Sequence, residues 1–448
     1  MECSKILSRF VDQAPLSVMT RITLENFFGA KRINAIFEEV SKKQYTKELT
    51  FSAVADLLVE VSLFGCDSVN AAYLRDQERI PVSVVAVYKK LKGVEPAVCE
   101  ALVSRTADSA VSLITALQAQ RPEPIPGYRL RIGDANVLGR SERRLGVLRG
   151  TNVAALPGQS VVLLDYATGV ISQILPCENA HTSEKRILLG LLPHLNQGDL
   201  FLGDSCYSSL EFLQGVRDRQ AHFLVRHHGS QKLQPLSKCR RAGACRTGTV
   251  WEQQVESSDG QVFRAIIVQR HKPLRNGKRK LILLTNVPRS KASAQKLAVL
   301  YMKRWTIEEA FRQLTQYLSC EVKTLGYPKA ALLAFSLAVV AYNCLACVKA
   351  TLAKCQGWDK VDNELSDYHV AREIRRTYEG MCIAVPEEAW QPYAKMSLQE
   401  LAAVLHEMAT KINWRRYRKS RRGTKKSFRK TRRRYMHVAT AKLLETKQ

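Results

Sequence analysis

The chain is 448 residues long and carries 69 Lys and Arg against 41 Asp and Glu, a formal net charge of +28. An apolar content of 46% is enough to build two or three packed domains of roughly 100–200 residues each, which excludes a globally disordered chain. No run approaches the roughly 18–20 uninterrupted apolar residues of a membrane span, and the opening MECSKILSRFVDQ has no long apolar signal core. The expectation is a cytoplasmic protein with no membrane segment. Twelve irregularly spaced cysteines fit reduced thiols better than a disulfide framework. The positive excess points to a polyanionic partner.

That excess is uneven. Residues 1–120 hold 14 basic and 14 acidic side chains, whereas residues 415–434, RRYRKSRRGTKKSFRKTRRR, hold 13 basic and none acidic. Most of the remaining surplus lies in residues 121–414, with 40 basic against 26 acidic. A basic run can be no more than a solvated tail, but phosphate binding is the use its charge best suits, because each neutralised phosphate releases counterions.

In chain order, the first 118 residues read as helical, with apolar residues at three- and four-residue steps in LTFSAVADLLVEVSLFG and VCEALVSRTADSAVSLITAL. The segment PVSVVAVYKKLKGVEPAVCEALV also allows a helix-turn-helix reading, though any short helix pair mimics one. RPEPIPGY then breaks the pattern and marks a boundary. YRLRIGDANVL, LGVLRG and SVVLLDY read as strands, the last turning at Ala167-Thr168-Gly169 into GVISQIL, so that antiparallel strands come first. HTSEKRILLGLLPHL is a predicted helix, DLFLGDS a short buried strand, SSLEFLQGVRDR a helix and AHFLVR another strand, the order of an α/β domain. Residues 228–290 alternate in the strand period, in WEQQVE, VFRAIIVQR and LILLTNV, and form a β-rich insertion. From Lys291 the pattern is helical again to the basic tail. The predicted organisation is an α-helical N-terminal domain over 1–120, an α/β core over 121–227 and 291–355 interrupted by the insertion at 228–290, and a helical C-terminal region over 356–448.

Two carboxylates stand where strands end. Asp134 closes the apolar half of RIGDANVL and Asp204 follows LFLGD. If the two strands are neighbours, the two charges lie side by side, and a divalent cation is the physical expectation because paired buried carboxylates repel. Hard oxygen ligands suit Mg²⁺ or Mn²⁺. An aspartate at a strand end serves equally well as a turn residue or a helix cap, and Asp165, before Ala-Thr-Gly, fits a hairpin turn and competes with the other two. A third carboxylate comes from YMKRWTIEEAFRQL, where Tyr301, Arg304, Glu308 and Arg312 recur at steps of three, four and four and so share one helical face. A core stripe would be apolar. The alternative is a surface helix with i,i+4 ion pairs, and Glu309 is a turn of 100° away from the stripe.

With these residues in view, the chain resembles the DDE transposases of insertion sequences, of the type named after insertion sequence four, whose mark is Tyr, two residues, Arg, three residues, Glu, six residues, Lys. Tyr301, Arg304, Trp305, Ile307, Glu308 and Phe311 match in register, LFLGDSCYSS is similar to the second-aspartate block and RIGDANVL to the first. The family lysine falls on Thr315, a departure that bears on how the element's end is engaged. The resemblance implies a ribonuclease H-like mixed-sheet core, α/β in class, with a β-rich insertion, an all-α N-terminal domain and a helical basic C-terminus. It implies two Mg²⁺ or Mn²⁺ ions, roughly 3.5–4 Å apart, on Asp134, Asp204 and Glu308, catalysing cleavage and strand transfer. It also implies Arg226, Tyr301, Arg304 and Arg312 on DNA phosphates, double-stranded transposon ends and target as partners, and a homodimer on the paired ends. In some members of that group an aromatic residue of the insertion stacks on a flipped base, a part that Trp251 could take here. A non-catalytic DNA-binding relative, or a metal-dependent nuclease that does not join strands, are the competing readings.

Two cysteine patterns point elsewhere without strength. Cys239 and Cys245 near His227 and His228 lack a usual zinc spacing, and Cys344 and Cys347 form a CxxC inside an apolar helix, which suits buried core thiols.

Overall fold

The computed structural model describes residues 5–44, 46, 48–63, 66–139, 157–180, 182–273, 277 and 279–420. The predicted strand LGVLRG and most of the basic run, from Arg421 on, lie outside the described residues. The N-terminal part is helical, as its periodicity predicts: α1 Lys5–Gln13, α2 Pro15–Phe28, α3 Ala30–Val40, α4 Phe51–Leu63, α5 Val69–Arg75, α6 Val84–Gly93 and α7 Pro96–Ala116. Local chemistry sets the helix starts. Ser68 and Ser83 accept hydrogen bonds from Ala71 and Ala86 at the heads of α5 and α6, while α2 and α7 begin with proline, whose missing N–H costs nothing there.

The described strands then build one mixed sheet: β1 Arg129–Val137, β2 Gln159–Asp165, β3 Ile171–Cys177, β4 Asp199–Gly203, β5 His222–Arg226, β6 Leu233–Pro235, β7 Arg240–Cys245, β8 Gly248–Ser257, β9 Val262–Arg270 and β10 Lys280–Thr285. Their order is β3-β2-β1-β4-β5-β10-β9-β8-β6, with β7 also on β8. β1, β2 and β3 pair antiparallel, and β1, β4 and β5 pair parallel. This is the ribonuclease H-like mixed sheet that the resemblance implies. The strands of the predicted insertion continue it, because β10 pairs antiparallel with β5. Helices α8 Glu184–Leu188 and α9 Leu210–Asp218 connect β3, β4 and β5, and α10 Ala294–Leu300, α11 Trp305–Tyr317, α12 Pro328–Gln356, α13 Trp358–Glu364, α14 Asp367–Ala384, α15 Gln391–Ala394 and α16 Leu398–Thr410 complete the described chain.

Strand alternation divides the core in two. Ile132, Val162, Leu164, Leu202 and Leu224 face the side on which α12 and α7 pack, while Val161, Leu163, Phe201, Phe223 and Val225 face Phe212, Leu213 and Val216 of α9. α12 is apolar on every side and buried accordingly. It is long and apolar enough to cross a membrane, with a mean hydropathy of 2.2 over a window that is wholly buried in the fold, which corrects the reading that no such segment exists. Ser336, Tyr342 and Asn343 interrupt its apolar run and hid it from a count of consecutive apolar residues. The Asn343 side chain pairs both backbone groups of Ile171 at 2.9 Å, so this break in the apolar run clamps α12 to β3. Gly357, at φ 82°, ends the helix in a conformation that favours glycine. Cys344 and Cys347 are buried core thiols, as their helical setting predicts.

The helix-turn-helix reading does not survive. α7, which would have to enter a DNA groove, packs on α12 and β3 and buries Val98, Leu102, Ala110 and Leu113. The lysines of the preceding turn are engaged internally, Lys90 Nζ donating to the Leu49 carbonyl at 3.0 Å and Lys92 lying over the Tyr327 ring at 3.9 Å.

Candidate active site

Register places the first two carboxylates. In the parallel β1–β4 pair Ile132 stands opposite Leu202, and in the parallel β4–β5 pair Gly203 stands opposite Val225. Carried on along the strands, that register puts Asp134, inside β1, in one row with Asp204 and Arg226 at the ends of β4 and β5. The expected neighbourhood of the two strands is therefore what the sheet provides. Two glycines make the row possible. A Cβ on Gly133 would come within 2.6 Å of the Phe201 ring, and one on Gly203 within 2.7 Å of the same ring and 2.9 Å of Tyr207. Phe201, Tyr207 and Phe212 form an aromatic floor under the row, with ring centroids 5.1–5.7 Å apart.

Asp204 is also a cap. Its Oδ1 accepts from the Cys206 N–H at 2.7 Å at the head of the 3₁₀ turn Ser205–Ser208, so the bland and the functional readings of this residue coexist. Asp134 Oδ1 accepts from the Ala135 N–H at 2.9 Å, leaving Oδ2 for its other partner.

That partner is Arg304. The stretch Tyr301–Arg304 is a 3₁₀ turn leading into α11, so the four stripe residues do not share one continuous α-helical face. Arg304 Nη1 lies 3.3 Å from Asp134 Oδ2, and its Nη2 pairs with Glu308 Oε1 one helical turn on. Glu308 thus joins Asp134 through a shared guanidinium. Burial pushes Asp134 up to about 6, with the Asp204 and Glu308 charges adding to the rise and the Ala135 N–H and Arg304 opposing it. Burial also raises the Tyr301 hydroxyl, to about 12, where the charges of Arg304, Asp204 and Arg226 all reach it. Burial works against the charge of Arg304, but Tyr301, Glu308 and Asp134 outweigh it and hold the guanidinium above its usual pKa.

Of the predicted residues, Asp134, Asp204, Glu308, Arg226, Tyr301 and Arg304 converge. Arg312 turns aside: it pairs with Glu309 at 2.9 Å and reaches Gln316 and Tyr317 on the exposed side of α11. Glu308 and Arg312 do lie one turn apart inside α11, as the step rule has it, but the Arg312 side chain takes its partners from its own helix. Trp251 lies inside β8, between Arg241 of β7 and Ile267 of β9. Thr315, at the family lysine position, approaches Cys320. Asp165 is a turn residue, accepting from Thr168 N at 3.0 Å and paired with Arg131 at 2.9 Å.

Two residues escaped the sequence reading. Tyr207 is 2% exposed beneath the row and lies in the fields of Asp134 and Asp204. Glu184, in the first turn of α8, is hydrogen-bonded with the Cys206 side chain beside Asp204. A carboxylate directly after a Ser at a helix start was the available signal for Glu184, but it reads as ordinary helix capping.

The donors are hard carboxylate oxygens, which suit Mg²⁺ or Mn²⁺. Among the described residues, no three of His, Cys, Asp and Glu are gathered into a ready cage, because Arg304 stands between two of the carboxylates. The donor chemistry fits a divalent cation once that guanidinium moves.

Residues 159–344 match the family model described as the transposase DDE domain. Over that stretch the chain is similar to a transposase DDE domain. The match contains Asp204, Arg226, Tyr301, Arg304 and Glu308 and begins after Asp134. Among solved structures, the chain is similar to a piggyBac transposase synaptic complex with hairpin DNA, at 9% identity and a TM-score of 0.41, over 86% of this chain and 84% of that one. No curated protein matches the sequence.

Proposed function

We propose that the protein is a transposase of the insertion sequence four type, cutting duplex DNA at the ends of its element and joining the freed ends to a target by phosphoryl transfer. Asp134, Asp204 and Glu308 are its catalytic carboxylates. The observation that carries the reading is the row on β1 and at the end of β4, closed from above by Glu308 of α11. In this reading Asp134, Asp204 and Glu308 hold Mg²⁺ or Mn²⁺, which when bound supplies the charge stabilisation and nucleophile activation that carboxylates lack. The chain's own groups do the positioning. The Cys206 and Ala135 N–H groups each fix one carboxylate oxygen, so that the other oxygen of Asp204 and of Asp134 faces the site. Arg226, in line with Asp204, and the Tyr301 hydroxyl offer donors to phosphate oxygens of the scissile strand, which positions the strand without reading its sequence. In this reading two copies of the chain hold the paired DNA ends.

The test uses the full chain with DNA carrying the element's own ends and Mg²⁺ or Mn²⁺. Cleavage followed by joining to a target supports a transposase. Cleavage without joining makes the protein a nuclease, and binding without cleavage makes it a non-catalytic relative.

A further inference from the structure

We propose that Arg304 is an exchangeable counter-ion. While DNA is absent it neutralises Asp134 and Glu308, and it releases them to a divalent cation when a DNA phosphate draws the guanidinium away. The proposal rests on reading Asp134, Asp204 and Glu308 as the metal-holding carboxylates.

One guanidinium joins two elements between which no other ion pair is found among the described residues, reaching Asp134 on β1 with Nη1 and Glu308 on α11 with Nη2. Its side chain is 13% exposed and that of Asp134 23%, so this pair is partly shielded from water, while Glu308, at 36%, is the more open partner. A divalent cation on the same oxygens would put like charges in contact in a poorly screened place. Guanidinium and metal therefore exclude each other. The guanidinium also has somewhere to go. Arg304 sits at the mouth of α11, 5.5 Å from the ring of Trp305, whose side chain is 57% exposed, and beside Tyr301 and the strand end that carries Arg226. A phosphate there offers the planar fork of oxygens that a guanidinium binds best.

Mutual exclusion at one end and phosphate capture at the other make DNA and metal bind with positive coupling, and linkage requires each to raise the affinity of the other by the same factor. The consequence is that the carboxylates stay closed to the cation until DNA of any sequence is bound.

The experiment reads free Mn²⁺ by electron paramagnetic resonance during titration of the full chain, with and without a short duplex of arbitrary sequence, the duplex alone serving as blank. Wild type is expected to bind Mn²⁺ more tightly with the duplex than without it. Arg304→Gln is expected to bind Mn²⁺ about five- to a hundredfold more tightly than wild type in the absence of DNA, and to lose the effect of the duplex. Arg304→Lys, which keeps the charge but cannot span two carboxylates as a fork, is expected to fall between the two and covers the case in which Arg304→Gln does not fold. Unchanged or weaker Mn²⁺ binding by both variants overturns the proposal. Asp204→Asn separates this failure from failure of the site itself. If it binds Mn²⁺ as wild type does, the carboxylate reading is wrong and the proposal falls with it; if it loses Mn²⁺ while the Arg304 variants gain nothing, only the counter-ion is wrong.

Discussion

At the start of β1, Arg129 stands beside Asp199 at 2.8 Å and Arg131 beside Asp165 at 2.9 Å; farther along the same strand, Asp134 stands in a row with Asp204 and shares Arg304 with Glu308. Both ends use Asp and Arg and share β1 and β4, the first adding β2 and the second α11. At the first end the charges balance and are sealed: Arg131, Asp165 and Asp199 are 6%, 4% and 1% exposed, and Asp165 and Asp199 accept further bonds from Thr168 and Asn196. At the second end three carboxylates face one bridging guanidinium, and the groups remain half-buried. A charge cluster that satisfies itself is structure, whereas one left in deficit has a use for a cation. This distinction, more than burial or strand position, separates Asp165 from Asp134.

Breaking the closed end should cost the most stability. Asp165→Ala leaves Arg131 buried without its partner and is expected to destabilise the fold by about 3–5 kcal/mol in a denaturant titration. A loss under about 1 kcal/mol would mean that the sealed end is not the staple it resembles. At the open end, Gly133→Ala or Gly203→Ala drives a methyl into the Phe201 ring and should cost about 1–3 kcal/mol, together with activity, since the aromatic floor under the aspartates must shift.

A smaller effect follows from Glu123, beside the closed end. Burial raises its pKa from 4.5 to about 7, against the Leu130 N–H that donates to it at 3.1 Å. The folded state holds this proton more tightly than the unfolded chain does. Its contribution is therefore complete below pH 4.5 and is lost as pH climbs toward about 7. Glu123→Gln should flatten the stability profile across that interval, and an unchanged slope would remove Glu123 from the account.

The smallest effect on the fold should come from the basic run. Tyr417 is 2% exposed and Arg416 donates to the Gln13 carbonyl, so the first residues of the run are packed and a cut belongs beyond them. Ending the chain at Ser420 removes nine of the thirteen basic residues of the 415–434 window. It should leave stability unchanged while weakening DNA affinity and flattening its salt dependence. An unchanged salt slope would place the phosphate contacts elsewhere.

What was legible in the sequence was local. Strand runs ending in Gly-Asp, a hairpin at Ala167-Thr168-Gly169 and a polar stripe in YMKRWTIEE each show in a few residues, and together they named the converging groups. What was hidden depends on partners distant in the chain. That β10 pairs with β5, so that the insertion's strands extend the core sheet, is set by contacts some sixty residues apart. The burial of α7 depends on α12, more than two hundred residues later. That Arg312 pairs with Glu309, one helical turn back, instead of reaching the carboxylate row is a rotamer choice that residue spacing does not record. Tyr207 and the two glycines matter only because Phe201 lies between them.

The most direct test sets the two ends of β1 against each other in one assay. Asp134→Asn, Asp204→Asn, Glu308→Gln and Asp165→Asn are compared for cleavage of DNA bearing the element's ends, with DNA binding and thermal unfolding measured on the same preparations. The open-end variants should lose at least about a hundredfold in cleavage while still folding and binding DNA, and Asp165→Asn should lose stability but cleave normally wherever it remains folded. Cleavage that survives in any open-end variant, or that vanishes in folded Asp165→Asn, would contradict the assignment of catalysis to the end left short of positive charge.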